Sequence, residues 1–230
     1  MQNFVRVLKL IFSTPVSPKE VPCFRGAVIQ QTGVDADILF HNHDGNSFRY
    51  SYPLIQYKSI GGKGAIIAID EGADIIGQFI SKISGSIDIG GRIEPISVEK
   101  VIPSRFLMQT WERMFNYRVN HWLPLNPENY RAYMATDYAE QRFVLLEKIL
   151  IGNLLSMLKG LGIFLEKELK VHIEGHENPF LVKYKDIKLM AFNLDFSSNL
   201  FIPDNMGIGK NSSIGYGNVR QIRNFPYQEQ

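Results

Sequence analysis

Phe48-Arg49-Tyr50-Ser51-Tyr52-Pro53-Leu54-Ile55-Gln56-Tyr57 is followed by the pair Gly61-Gly62 and then by Ala65-Ile66-Ile67-Ala68-Ile69. Aromatic and β-branched residues dominate the first run, and Phe48, Tyr50, Tyr52 and Leu54 alternate onto one face, which is the pattern of a strand. The glycine pair supplies a tight turn, and residues 65–69 return as an apolar strand beside the first. A hairpin at this position constrains what its neighbours must be.

Upstream, Phe4-Val5-Arg6-Val7-Leu8-Lys9-Leu10-Ile11-Phe12 reads as a first strand. Arg6 and Lys9 interrupt the apolar block and no small-residue cleavage site follows, so it does not read as a secretion signal. Residues 23–31 carry a helical spacing through Phe24, Ala27 and Val28, closed by Gly33. Ser17-Pro18-Lys19-Glu20 resembles a capping box, but Pro22 would then lose a hydrogen bond inside the helix. A start near Val21, with Pro22 at the first helical position, avoids that loss. Downstream, Asp70 caps a second helix on which Ile75, Ile76, Phe79, Ile80 and Ile83 recur, and residues 96–107 give a further strand. Strand, helix, strand, strand, helix, strand is the ferredoxin-like order of an α+β domain, with both helices on one sheet face and the other face free. RNA-recognition modules use such a face or the loops at its edge.

The second half repeats the order in reduced form. Residues 111–123 look extended and aromatic. Pro124-Leu125-Asn126-Pro127 leads to Asp137 and Glu140, a second candidate capping box, and a helix over 138–158 follows with its stripe at Phe143, Leu146, Leu150, Leu154 and Leu158. Gly160 and Gly162 end it. Residues 169–173 and 180–184 flank a turn at 175–179, and Phe192, Leu194 and Phe196 alternate along another strand. This predicts two tandem ferredoxin-like, RRM-like domains, residues 1–105 and 106–230, the second lacking its second helix and carrying a glycine-rich loop near the C-terminus.

That loop is Met206-Gly207-Ile208-Gly209-Lys210-Asn211-Ser212-Ser213-Ile214-Gly215-Tyr216-Gly217-Asn218-Val219. Its glycines admit positive φ and leave amide N–H groups uncovered, while Lys210, Asn211, Ser212 and Ser213 add a charge and short donors, a composition suited to phosphate. A glycine-rich connection between two strands has the same composition.

At 230 residues and a formal charge of +2, the chain can bury one large or two small cores, and its charge selects no partner. The single cysteine, Cys23, excludes an internal disulfide and a multi-cysteine zinc site, fits a reducing cytosol, and reads as a small core residue. No apolar run is long enough to span a membrane, so a cytoplasmic protein is expected.

Among five histidines, His41 and His43 form a pair. In an extended segment, residues two apart point the same way at roughly 6–7 Å, a spacing that brackets one phosphodiester. Imidazole is accessible in both protonation states near neutral pH, so one could take a proton while the other gives one, with Tyr50 hydrogen-bonding the reacting group. Two other readings stay open: a metal site completed by Asp35, Asp37 or Asp44, and polar bystanders in a loop. His172 and His176 fall at a turn, and His121 beside Trp122 reads as packing. Arg49, Lys58 and Lys63 flank the histidine hairpin, and Lys210 the glycine-rich loop. With Tyr50, Tyr57 and Tyr216 they give the cations and rings that a strand of RNA engages.

The pattern Gly207-Ile208-Gly209, five residues, then Gly215-Tyr216-Gly217 resembles the loop of the CRISPR-associated repeat-processing endoribonucleases, the Cas-six group. Leu39-Phe40-His41-Asn42-His43 followed by residues 48–58 is similar to its b-type branch. The resemblance implies metal-independent cutting of precursor CRISPR RNA within each repeat, with no cofactor. The 2′-hydroxyl attacks the adjacent phosphate and leaves a cyclic phosphate. It implies His41 and His43 as the acid/base pair and Tyr50 as the third active-site side chain. The RNA-binding set is read from the cations and the loop's own composition, with no lysine fixed by the motif: Arg49, Lys58, Lys63, Gly207, Gly209, Lys210, Asn211, Ser212, Ser213, Gly215, Tyr216 and Gly217. A CRISPR effector complex and a second copy of the chain are further partners the resemblance admits, and a non-catalytic RNA-binding subunit is the alternative.

Overall fold

The computed structural model describes residues 3–32, 43–44, 47–48 and 52–223. It is an α+β chain of antiparallel sheets with helices. In the first half, β1 (Phe4–Pro15), β4 (Ile55–Ile60), β5 (Lys63–Ile69) and β8 (Val98–Leu107) form a four-stranded sheet in the order β4-β5-β1-β8. Helix α1 (Val21–Thr32) follows β1, and α2 (Glu71–Phe79) follows β5. Both readings of the α1 start hold: Ser17 donates from its N–H and its hydroxyl to Glu20 on a 3₁₀ turn, Pro18–Glu20, and the helix itself begins at Val21. These bonds and the Arg92 guanidinium hold the Glu20 carboxyl down at about 2.

Several expectations need correction. The strand before the Gly61-Gly62 turn begins at Ile55, not Phe48, because Pro53 has no N–H to give a ladder. Residues 43–44 and 47–48 form their own minute hairpin, β2 (His43–Asp44) and β3 (Ser47–Phe48). Asp70 is the N-cap residue of α2, at φ 46°, but its side chain accepts from the Arg6 N–H at 2.8 Å and not from the helix. An extra hairpin, β6 (Gly85–Ile89) and β7 (Arg92–Ile96), folds over α1, turning at Gly90-Gly91 and burying Ile87, Ile89 and Ile96. Cys23 lies exposed on α1 rather than in the core.

The second half holds β9 (Thr110–Trp122), α3 (Pro127–Ala135), α4 (Ala139–Gly160), β10 (Val171–His176), β11 (Phe180–Tyr184), β12 (Ile187–Leu200) and β13 (Asn218–Gln221). Its sheet runs β10-β12-β9-β13. The hairpin expected between β10 and β11 is absent. Both strands pair instead with β12, β11 along residues 187–191 and β10 along residues 194–198, because β12 is long enough to serve both. Helix α3 was not anticipated: Asn126 caps it by accepting from the Asn129 N–H, and only Tyr133 among its residues is buried.

Both faces of the first sheet are packed over its central strands β1 and β5. Leu10, Phe12, Ile66 and Ala68 pack on Phe24 and Val28 of α1 and Ile76 of α2. On the opposite face Val5, Val7, Ile67 and Ile69 join the second half's core, which gathers Tyr117, Trp122, Leu146, Leu150, Leu154, Phe192 and Phe196. The surface expected to await RNA is therefore the joint between the halves. No helix among the described residues is long and apolar enough to cross a membrane.

Candidate RNA interface at the glycine-rich loop

Strand β4 lies at the edge of its sheet, so one row of its backbone groups needs another partner. The glycine-rich loop supplies it. The Tyr57 N–H donates to the Ser213 carbonyl at 2.8 Å, and Tyr57 and Ile214 form a parallel bridge. Gln56 and Lys58, two apart, share the face turned to the loop. The Gln56 Oε1 accepts from the Gly207 N–H at 2.8 Å, and the Lys58 Nζ donates to the Ser212 carbonyl at 2.9 Å. Tyr57 points the other way, edge-on to Phe24 at 6.1 Å.

The loop is anchored in both cores. Met206 and Ile208 are fully buried in the second half's cluster, while Ile214 enters the first half's cluster with Val21 and Tyr57. Burying one such side chain is worth about 1.5–3 kcal/mol. Within the loop, the Ile208 N–H donates to the Gly217 carbonyl, and the Gly217 N–H donates to the His121 carbonyl. His121 holds that position at φ 53°, with its own N–H given to the Asn193 Oδ1 at 2.9 Å. Its imidazole, edge-on to Phe180, has its pKa lowered by burial.

Two glycines are required by close approach as well as by φ. Gly217 sits at φ +59°, and a Cβ there would land on the Ile208 carbonyl. Gly209, at φ +74°, lies over the hydrogen bond from the Trp122 Nε1 to the Asn153 Oδ1, where a Cβ would come within 2.7 Å of the oxygen. The loop thus uses its small residues for packing at least as much as for open backbone. Lys210 is exposed at its tip, Gly209, Asn211, Ser213, Gly215 and Tyr216 are half-buried, and Gly207, Ser212 and Gly217 are buried. Tyr216 meets Tyr184 of β11 edge-on at 6.4 Å.

The cations assigned from sequence separate. Lys58 is fully buried, which pushes its pKa down to about 7. Lys63 is on the surface, paired with Glu99 at 2.6 Å. His41, Arg49 and Tyr50 lie outside the described residues. For His43 the described feature is its backbone pairing with Phe48. The chain leaving that histidine-bearing stretch runs through residues 52–54 straight into β4. It is clamped on the way: Gly160 at the end of α4 packs against Tyr52, and Gly72 in α2 sits where a Cβ would be 2.5 Å from the Leu54 carbonyl. One strand therefore receives the histidine-bearing stretch at its start and seats the glycine-rich loop along its length. Gln56, Tyr57 and His121 were not singled out for this role from sequence; the strand alternation that pairs Gln56 with Lys58 was the available signal. A cavity of about 620 Å³ beside Trp111, Met114, Lys167 and Asn199 touches none of the assigned residues. No group of three or more potential metal ligands occurs among the described residues.

Comparison with known proteins joins these features. Residues 3–105 match the model of the Cas6b N-terminal domain, and residues 109–222 that of the Cas6b C-terminal domain. A crystal structure of Cas6b superposes with a TM-score of 0.87 at 28% identity, over 95% of this chain and 100% of that one. A structure of the CRISPR RNA processing endoribonuclease Cas6b gives a TM-score of 0.74 at 25% identity, again over 95% of this chain and 100% of the other. An uncharacterized protein of Methanocaldococcus jannaschii is 40% identical over 112 residues, 48% of this chain and 75% of its own length.

Proposed function

The chain belongs to the Cas6b family, and from that membership we propose that it is an endoribonuclease that cuts precursor CRISPR RNA within its repeats without a metal. The observation that carries the reading is the match of both halves to the two Cas6b domains, with a Cas6b structure superposing over 95% of the chain. The finer fold reading is two ferredoxin-like units, residues 1–105 and 106–230. The parallel strand orders β4-β5-β1-β8 and β10-β12-β9-β13 support it.

In this reading the 2′-hydroxyl before the break attacks its own phosphorus in line. The P–O5′ bond breaks, and the product keeps a 2′,3′-cyclic phosphate. His41 and His43 act as the acid/base pair, one removing the 2′ proton and the other protonating the 5′-oxygen, with Tyr50 hydrogen-bonding the reacting group. The glycine-rich loop holds no histidine or carboxylate and grips the RNA, with Lys210 exposed for a phosphate and Tyr216 offering a ring. The seating of that loop on β4 supports this division of labour, since β4 continues from the histidine-bearing stretch.

The test is a repeat RNA whose single 2′-hydroxyl at the break is replaced by hydrogen. Cutting is expected to stop while binding persists. Continued cutting of that RNA refutes the nucleophile, and binding without any cutting of the unmodified RNA identifies a non-catalytic RNA-binding subunit instead.

A further inference from the structure

Lysine is poorly suited to a site with neither water nor a counter-ion. Lys58 is fully buried, and no carboxylate among the described residues pairs with it. On β4, the hydrogen bond that it makes among the described residues goes to a neutral carbonyl, and burial lowers its pKa. The space for its ammonium is the space Gly207 leaves, because a Cβ there would lie 2.6 Å from the Nζ. An apolar side chain of similar reach would fill the position without the cost of desolvating a charge. The cation is therefore not explained by stability, and its position at the seat of the glycine-rich loop suggests what it does instead.

We propose that Lys58 is a positioning residue: its buried ammonium fixes residues 207–214 on β4, and so holds the RNA-gripping loop in register on that strand. This rests on the endoribonuclease reading above. A charged donor makes a shorter and more directional bond than a neutral one, which suits a contact that fixes register between two halves. The bond also polarises the peptide it meets. In that trans peptide the Ser213 N–H points away from Lys58, and no acceptor takes it among the described residues. A hydrogen bond at the carbonyl end strengthens the donor at the other, and a phosphodiester oxygen of the RNA is the chemical class it fits.

The test is Lys58→Met in the full chain. Without RNA, hydrogen exchange at the Tyr57, Ile208 and Ile214 amides is expected to rise roughly tenfold or more, the loss of a charge-assisted bond, while Ile66 and Ile67 in β5 keep their protection. The Kd for a repeat RNA lacking the 2′-hydroxyl at the break rises by about the same factor. The denaturation midpoint at pH 6 does not fall. Unchanged exchange, unchanged binding, or a midpoint that falls in step with binding would each overturn the proposal, the last by making Lys58 a simple structural prop. A wild-type chain that binds no repeat RNA removes the endoribonuclease reading, and the exchange arm then judges the seating alone. Should Lys58→Met not fold, Gly207→Ala pushes the loop from the other side with the lysine intact. The same loss of protection and affinity is expected, and wild-type behaviour would refute the seat.

Discussion

Replacing Gly217 with alanine tests how the glycine-rich loop is built. At φ +59° an L-residue carries a left-handed penalty of about 1–2 kcal/mol. The added Cβ would also land on the Ile208 carbonyl, 2.9 Å from its carbon and 3.1 Å from its nitrogen. These are backbone atoms, so no rotamer change relieves the overlap. The loop must open between the two residues, which releases the Ile208 N–H to Gly217 carbonyl bond and the Gly217 N–H to His121 carbonyl bond, roughly 1 kcal/mol each. The sum is about 3–4 kcal/mol, a large share of a typical domain's 5–15 kcal/mol or so. Two companions calibrate it. Gly215, at φ +95°, would place its Cβ an ordinary 3.4 Å from Val21, so Gly215→Ala carries only the conformational penalty. Gly77 is exposed in α2 with open space around it, and Gly77→Ala stabilises by roughly 0.5–1 kcal/mol. Urea denaturation of the three variants should rank them Gly77→Ala, Gly215→Ala, Gly217→Ala from most to least stable. A Gly217→Ala protein no weaker than Gly215→Ala would refute the close packing of Gly217 on Ile208.

Because Lys58 is protonated in the unfolded chain up to its ordinary value of 10.5 but in the fold only up to about 7, the unfolded state binds the extra proton between those values. Wild-type stability should therefore carry a rise from pH 7 toward 10.5 that Lys58→Met lacks, read as the difference between their denaturation midpoints at pH 6 and pH 9. The double variant His41→Ala, His43→Ala should bind repeat RNA as the wild type does and leave it uncut in a single-turnover assay; retained cutting would remove the pair from the mechanism. Lys63→Ala breaks only an exposed pair with Glu99 and should change stability by less than about 1 kcal/mol, with RNA affinity, measured by filter binding, falling only if Lys63 leaves Glu99 for a phosphate.

The strand at Phe4, the helix start at Val21 and the alternation of Phe192, Leu194 and Phe196 were legible because each is written in local periodicity. The elements that were missed depend on distant partners or weak patterns. Helix α3 buries one side chain, Tyr133, so it has no apolar stripe to read, although Asn126 before Pro127 is a start signal. The strands β10 and β11 looked like a hairpin because they are adjacent in sequence, while their partner β12 comes later. The loop's glycines were read for phosphate because both uses, backbone exposure and close packing, ask for the same small residue. Only the positions of Ile208 and Trp122 around Gly217 and Gly209 separate them. Lys58 was read as a cation for RNA because lysines seldom lie inside; its burial depends on Gly207 and Ser212, about 150 residues away.

The most direct measurement of the central claim is incubation of the protein with an end-labelled repeat RNA in excess EDTA, followed by analysis of the new 3′ end. A single cut within the repeat, at the same rate with and without EDTA and ending in a 2′,3′-cyclic phosphate, is the predicted result. A cut that EDTA stops, or that leaves a 3′-hydroxyl and a 5′-phosphate, would contradict it.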